Sequence, residues 1–175
     1  MTNPYIDRAP IFKVKENDIC AEIGVWRGDF SNNILNKQPK ELHLIDSWEW
    51  DDDWDAGHFM DMIKQKGKDL SDNLSPQQEL DTIYNYVQTR FQQDSNVIIH
   101  RNLSTAVKFP LGYFDWVYID GDHSYQGATK DLEYYYPLIK KGGYLCGDDY
   151  GDFGAEGGPG RAVDEFVERH QLELH

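Results

Sequence analysis

The sequence is poor in cysteine, in basic residues and in long apolar stretches, and each shortage excludes a class of protein. Its only cysteines among 175 residues, Cys20 and Cys146, lie inside apolar strand patterns, so we predict free thiols and a reducing, cytoplasmic setting. The 17 basic residues against 31 acids give a net charge of −14, which argues against nucleic acid or an anionic membrane as a partner. No segment approaches the ~20 consecutive apolar residues of a membrane span. At this length we expect one domain over residues 1–175.

Short apolar strands alternate with helical patterns along most of the chain. Strands are predicted at 18–24, 41–46, 96–100, 115–119 and 143–146, with a short sixth strand at 171–175. Strands separated by helices predict an α/β fold built on a doubly wound, mostly parallel sheet of order 3-2-1-4-5. In that order the carboxyl ends of strands one and four flank the ligand crevice.

An oversized insertion separates the second and third strands, at about residues 47–95. It opens on an aromatic and acidic run that contains Trp48, Trp50 and Trp54. We interpret these indoles either as part of a lid over a ligand or as a small core of their own. Further along, Ser75 and Gln78 form a capping-box pattern that marks one helix. A glycine-rich loop is predicted at 151–160, before a last helix.

Two neighbouring strands each end in a cluster of acids. Asp120 follows the fourth strand, and Asp148 and Asp149 follow the fifth. Parallel neighbours lie roughly 4.8 Å apart with their carboxyl ends on one edge, so we expect these carboxylates to converge and to require a positive charge among them. His123, three residues after Asp120, has a side chain whose ordinary pKa of about 6.5 suits proton transfer at neutral pH. The alternative for His123 is a helix-start histidine bonded to backbone.

The first strand leads into Glu22-Ile-Gly24-Val-Trp-Arg-Gly28, which supplies two glycines where the chain turns into a helix. Trp26 occupies the place of the second glycine of a dinucleotide fingerprint, which argues against NAD or FAD and favours a nucleoside without phosphates. Asp46, at the end of the second strand, is placed to accept hydrogen bonds from ribose hydroxyls. Glu22 is costly inside an apolar strand unless it is paired, for instance with a ligand ammonium group. Otherwise the glycines are simple turn residues and Asp46 is a solvated strand end.

These features together resemble the class I S-adenosylmethionine-dependent methyltransferases: Glu-x-Gly-x-x-x-Gly, an acid ending strand two, and Asp-Gly-Asp-His-Ser-Tyr ending strand four. Within that class the chain is similar, over about residues 18–170, to small-molecule O-methyltransferases such as macrocin O-methyltransferase. The resemblance implies a Rossmann-like fold and S-adenosylmethionine as cofactor. The implied cofactor-binding residues are Glu22, Gly24, Gly28, Asp46, Ser47, Trp48, Ser104 and Asp120. Leu103 stands where many relatives place an acid near the adenine, which leaves Ser104 alone there.

Metal-dependent members of this class, including catechol O-methyltransferase, bind a divalent cation through acids that end strands four and five. By this resemblance Asp120, Asp148 and Asp149 are the metal ligands, and their oxygen atoms favour Mg²⁺ or Mn²⁺. His123 is then the implied base. The implied reaction is methyl transfer to a hydroxyl of a small molecule, and a homo-oligomer through the insertion's helix is possible.

Two rival interpretations stay open. Asp120-x-Asp122 with Lys140 or Lys141 and the later acid pair also resembles Mg²⁺-dependent phosphatases of the haloacid dehalogenase type, although that interpretation leaves the glycine motif unexplained. The second rival is a non-catalytic domain that keeps only the S-adenosylmethionine pocket. Turnover distinguishes it from an enzyme.

Overall fold

One parallel sheet organises the chain. The computed structural model describes residues 13–52, 55–65, 74–151 and 158–174. The strands are β1 (Ile19–Ile23), β2 (Glu41–Asp46), β3 (Val97–Arg101), β4 (Phe114–Ile119) and β5 (Ile139–Gly147). The helices are α1 (Asp29–Leu35), α2 (Ala56–Gln65), α3 (Pro76–Arg90), α4 (Tyr125–Tyr135) and α5 (Gly158–His170). The sheet order β3-β2-β1-β4-β5 confirms the predicted α/β fold.

The register of the sheet brings the ends of its central strands to the same level. Ile23 of β1 lies opposite Ile45 of β2 and Ile119 of β4, and Ile119 lies opposite Gly147 of β5. The residues that follow these strands therefore share one edge. Asp46 and Asp120 stand there beside the loop that leaves β1.

The three central strands, β1, β2 and β4, are largely buried on both faces, as parallel strands covered by helices are. The edge strands β3 and β5 are only partly buried. One face places Leu44 and Trp116 against Ile83 and Val87 of α3. The opposite face has its own cluster, in which Tyr135 of α4 is fully buried. A third cluster joins α4 to α5.

The insertion between β2 and β3 holds two helices instead of the single one that the sequence indicates. The predicted helix is confirmed as α3, whose capping box has Ser75 N–H donating to Gln78 Oε1 at 2.8 Å. The unpredicted helix is α2. Trp48 is 1% exposed and Trp50 packs against the same core cluster, so these two indoles contribute to the core; Trp54 lies outside the described residues.

The end of the chain differs from the prediction. Residues 171–174 form a turn and irregular backbone, so the predicted sixth strand is wrong for these residues. The reason is local: Leu172 N–H donates to the Val167 carbonyl at 3.0 Å, and the Leu172 side chain packs beside α5. Most of the predicted glycine loop, at 152–157, lies outside the described residues. Within the described ranges, every helix is too short or too polar to cross a bilayer.

Candidate cofactor and catalytic site

Both glycines of the β1–α1 turn are required by contacts within the protein. Gly24 has φ +84°, and a Cβ there would lie 1.9 Å from the Asp120 carbonyl oxygen. Gly28 has φ +71°, and a Cβ there would lie 2.6 Å from the Phe91 ring. The absence of a side chain at Gly24 thus allows the loops after β1 and β4 to touch at the crevice.

Asp46 holds the β1–α1 turn through backbone hydrogen bonds. Its Oδ2 accepts from Val25 N at 2.9 Å and from Trp26 N at 2.8 Å, and its Oδ1 accepts from Trp48 N at 2.9 Å. Despite these donors the Asp46 pKa is raised, chiefly because burial disfavours its charge. The residue predicted to bind ribose is therefore already engaged by backbone N–H groups of its own surroundings.

Trp26 and Trp48, whose backbone N–H groups both donate to Asp46, adopt left-handed backbone conformations with φ of 52° and 44°. Such values are uncommon for bulky residues and are held in place by surrounding structure. Here the Trp48 indole N–H donates to the Trp26 carbonyl at 2.9 Å. The Trp26 ring meets Phe59 of α2 edge-on at 5.9 Å. Ser47, between Asp46 and Trp48, accepts a hydrogen bond from Glu49 N at 3.3 Å.

Glu22 is buried at the centre of the sheet edge, with 2% of its surface exposed. Its Oε2 accepts a hydrogen bond from the Ser31 hydroxyl of α1. The Glu22 pKa is raised to about 8: desolvation is the largest cause, the Ser31 hydrogen bond opposes it, and the nearby Asp120 and Asp46 charges add to it. Glu22 is thus largely a neutral acid at pH 7 in the folded chain.

Arg90, at the end of α3, fastens the start of α1. Its Nη1 donates to the Arg27 carbonyl at 2.8 Å and to Asp29 Oδ1 at 2.6 Å. The insertion therefore reaches back to the β1–α1 turn, a contact that the sequence pattern did not reveal.

Asp120, His123 and Asp149 converge at the carboxyl edge of β4 and β5. His123 Nε2 lies 3.3 Å from Asp120 Oδ1, and His123 Nδ1 lies 3.2 Å from Asp149 Oδ2. One possible ligand atom from each residue lies within 4.8 Å of the others. The hydrogen bond to Asp120 raises the His123 pKa, against an opposing effect of burial. The positive charge expected among the acids is supplied here by this imidazole when it is protonated.

Asp148 takes a different direction from its neighbour. Asp148 interacts with the Tyr118 hydroxyl of β4 and helps to raise the Tyr118 pKa, after the larger effect of burial, whereas Asp149 adopts φ 59° and meets His123. Of the three predicted metal ligands, the structure gathers Asp120 and Asp149 with His123, and it places Asp148 against Tyr118.

Ser104, the residue predicted near the adenine, lies in the short 3₁₀ turn Ser104–Ala106 after β3. Its hydroxyl hydrogen-bonds Asp131 of α4, and its carbonyl accepts from the Tyr135 hydroxyl at 2.7 Å. Sequence reasoning missed Asp131. The available signal was an acid at a helix position whose i+1 and i+4 neighbours, Leu132 and Tyr135, are apolar.

Lys140 does not approach the acid clusters. Its Nζ donates to Asp115 Oδ2 at 2.7 Å, at the start of β4 and thus at the opposite end of that strand from Asp120. A phosphatase of the haloacid dehalogenase type needs its lysine beside the acids, so Lys140 cannot serve that role in this arrangement.

Comparison with known proteins shows the family. Residues 21–150 match the sequence model of a methyltransferase domain. A solved S-adenosylmethionine-dependent methyltransferase from Aquifex aeolicus is 12% identical, with 93% of this chain and 76% of that one aligned and a TM-score of 0.55. Another from Mesorhizobium loti is 8% identical over 73% of this chain and 43% of that one, with a TM-score of 0.46.

A curated relative matches over a shorter stretch. An uncharacterised protein of Acanthamoeba polyphaga mimivirus is 49% identical over 39 residues, which make up 22% of this chain and 18% of that protein. The chain thus spans less than a fifth of that relative and less than half of the Mesorhizobium loti chain. The match over residues 21–150 covers most of the chain, from within β1 to beyond the end of β5, with every residue of the acid clusters. The chain belongs to the methyltransferase domain family and has the sheet order of a class I S-adenosylmethionine-dependent methyltransferase.

Proposed function

We propose that this protein transfers a methyl group from S-adenosylmethionine to a hydroxyl of a small molecule, in the cytoplasm, with His123 as base and a divalent metal ion as aid. The observation that carries the proposal is the meeting of Asp120, His123 and Asp149 beside the β1–α1 turn of a methyltransferase-family domain. A titratable imidazole and two carboxylates are then next to the crevice where class I domains bind their ligand.

The crevice suits a cofactor that carries positive charge. Asp46 and Asp120 stand at the ends of β2 and β4, and their charges raise the pKa of Glu22 in β1 between them. S-adenosylmethionine has a sulfonium and an ammonium group, which complement such an edge. In this proposal the cofactor lies along Gly24 and Gly28, with Ser47 and Ser104 near its adenosine. Trp48 is 1% exposed, so it supports this loop from within the core instead of touching the cofactor.

A divalent ion also fits the donor set. Asp120, His123 and Asp149 offer two oxygens and one nitrogen within reach of a common centre. A neutral imidazole has a single lone pair, so His123 cannot bind the ion and accept a proton at the same time. In this proposal His123 is the base, and the carboxylate oxygens of Asp120 and Asp149 hold the ion, which suits Mg²⁺ or Mn²⁺. Asp148 joins the ligands only if its carboxylate turns away from Tyr118.

When bound, S-adenosylmethionine supplies the methyl group and the ion polarises the acceptor hydroxyl. The chain's own residues position the acceptor and handle the proton. His123 accepts that proton on a ring nitrogen, and Asp120 or Asp149 stabilises the resulting imidazolium through the contact that the structure already shows. Because the same contacts raise the His123 pKa, the base is more effective at a pH above its ordinary range.

Calorimetric titration with S-adenosylmethionine, with and without Mn²⁺, tests the binding part. We expect binding in both cases, and Asp149→Asn should weaken Mn²⁺ binding while leaving cofactor affinity within about twofold. Glu168→Gln, which removes an exposed acid on α5, controls for the loss of one negative charge. Failure of the wild-type chain to bind S-adenosylmethionine would overturn the proposal.

Turnover distinguishes an enzyme from a binding domain. Formation of S-adenosylhomocysteine is followed with a panel of catechols, sugars and polyketide alcohols. We expect activity with at least one hydroxylated acceptor and a loss of at least about a hundredfold in His123→Ala. Cofactor binding without transfer to any acceptor favours the non-catalytic alternative.

A further inference from the structure

Asp131 is an acid on the buried face of α4, where it is 4% exposed. The other buried residues of this helix are Gly127, Ala128, Leu132 and Tyr135. An acid in such a place costs several kcal/mol of unfolding free energy unless it is hydrogen-bonded. A leucine or alanine would fill the position at lower cost, so packing alone does not explain why an acid stands there.

The hydrogen bond of Asp131 leads to the loop after β3. Its Oδ1 accepts from the Ser104 hydroxyl, and one turn further along α4 the Tyr135 hydroxyl donates to the Ser104 carbonyl at 2.7 Å. Both polar ends of Ser104 are thus held by residues four apart on a single helix face. This double attachment fixes the orientation of a serine that would otherwise rotate freely about its side-chain bond.

The second oxygen of the same carboxylate faces the loop after β4. A Cβ built on Gly121 would lie 3.6 Å from Asp131 Oδ2, which is ordinary contact distance. Asp122, in that loop, raises the Asp131 pKa after the larger effect of burial. Asp131 therefore lies between the loop of Ser104 and the loop that carries Asp120 and His123.

We propose that Asp131 is a positioning residue, which orients Ser104 for contact with the cofactor. This inference rests on the proposed function, in which Ser104 lies beside the adenosine. Asp131 itself touches no ligand in this proposal, because it is buried and its Oδ1 is engaged by the Ser104 hydroxyl. Its effect on binding must therefore pass through Ser104.

A double-mutant cycle tests this directly, by calorimetric titration of S-adenosylmethionine into the full chain. Asp131→Ala removes the acceptor of the Ser104 hydroxyl, and we expect cofactor affinity to fall about five- to twentyfold. Asp131→Asn keeps an acceptor oxygen in place and should restore affinity to within about twofold of wild type. In the Ser104→Ala background, Asp131→Ala should have no further effect.

Glu133→Ala is the matched control on the same helix. Glu133 pairs with Arg169 and lies 3.2 Å from His170 of α5, so its loss weakens the α4–α5 contact without touching Ser104. We expect a lower unfolding temperature with unchanged cofactor affinity.

Two results would overturn the inference. One is an equal loss of cofactor affinity from Asp131→Ala in the wild-type and the Ser104→Ala backgrounds; the other is a comparable loss of affinity in Glu133→Ala. If the wild-type chain does not bind S-adenosylmethionine, the proposed function itself is refuted. If wild type and Asp131→Ala bind it equally well, only the role of Asp131 is refuted.

Discussion

Replacing Glu22 by glutamine should stabilise the protein at high pH and have little effect at low pH. The side chain is buried and accepts a hydrogen bond from Ser31, and its surroundings raise its pKa from the ordinary 4.5 to about 8. Glutamine has the same shape and keeps an acceptor for Ser31, but it never ionises. The substitution therefore isolates the cost of charging this position.

The direction and the size of this effect on the free energy of unfolding follow from the raised pKa of Glu22. Below pH 4.5 the carboxyl is protonated in both the folded and the unfolded chain, so it costs nothing. Between pH 4.5 and about 8 the unfolded chain releases the proton while the folded chain keeps it, so stability falls by about 1.4 kcal/mol per pH unit. Above that range the wild type carries the full penalty, at most about 5 kcal/mol. Glu22→Gln escapes it.

Urea unfolding of both proteins at several values between about pH 5 and pH 9 measures the difference. We expect the two free energies of unfolding to coincide near the acid end and to diverge steadily toward the alkaline end, with the variant more stable. Asp131→Asn is the control, because the Asp131 pKa is raised only to about 6 and its divergence should finish at lower pH. Parallel stability curves for wild type and Glu22→Gln would refute the reasoning.

Three other perturbations probe the β1–α1 turn. Gly24→Ala should cost about 2–4 kcal/mol of unfolding free energy, because it combines a left-handed φ with a clash against the Asp120 carbonyl; a variant of unchanged urea midpoint would contradict this. Asp46→Asn sets an amide N–H against backbone donors such as Trp48 N and should cost about 1–3 kcal/mol, with weaker S-adenosylmethionine binding as the second readout. Arg90→Met removes two hydrogen bonds to the start of α1 and should cost about 1–2 kcal/mol, which thermal unfolding will show or exclude.

The sheet could be predicted because its signal is local. Each strand is a short apolar run between helical patterns, so alternation predicts the parallel α/β sheet. The order 3-2-1-4-5 and the position of Asp46 and Asp120 at one edge follow from assuming a doubly wound arrangement, which the structure confirms. The helix α2 was missed because its apolar residues lie close to the aromatic run before it. The sixth strand was wrong because two leucines flanking a glutamate fit a strand, while a hydrogen bond to the Val167 carbonyl turns the chain back onto α5.

Side-chain direction could not be predicted in the same way. Asp148 and Asp149 are adjacent and chemically identical, yet a backbone φ of 59° at Asp149 sends the two carboxylates to different partners. Nothing in a pair of aspartates indicates which one leaves the strand in the left-handed region. Likewise, the commitment of Asp46 to Val25, Trp26 and Trp48 depends on backbone N–H groups whose positions only the folded turn defines.

The acidic edge is tolerable because each acid has its charge reduced or compensated in a different way. Glu22 keeps its proton at neutral pH, Asp46 is surrounded by backbone N–H donors, and Asp120 and Asp149 share the His123 imidazole. Only the last of these arrangements is readily reversed, since a ring nitrogen can release its proton or bind a metal ion. A positively charged ligand that enters the crevice therefore lowers the pKa of His123, because its charge disfavours the imidazolium. It thus favours the neutral form that a base requires.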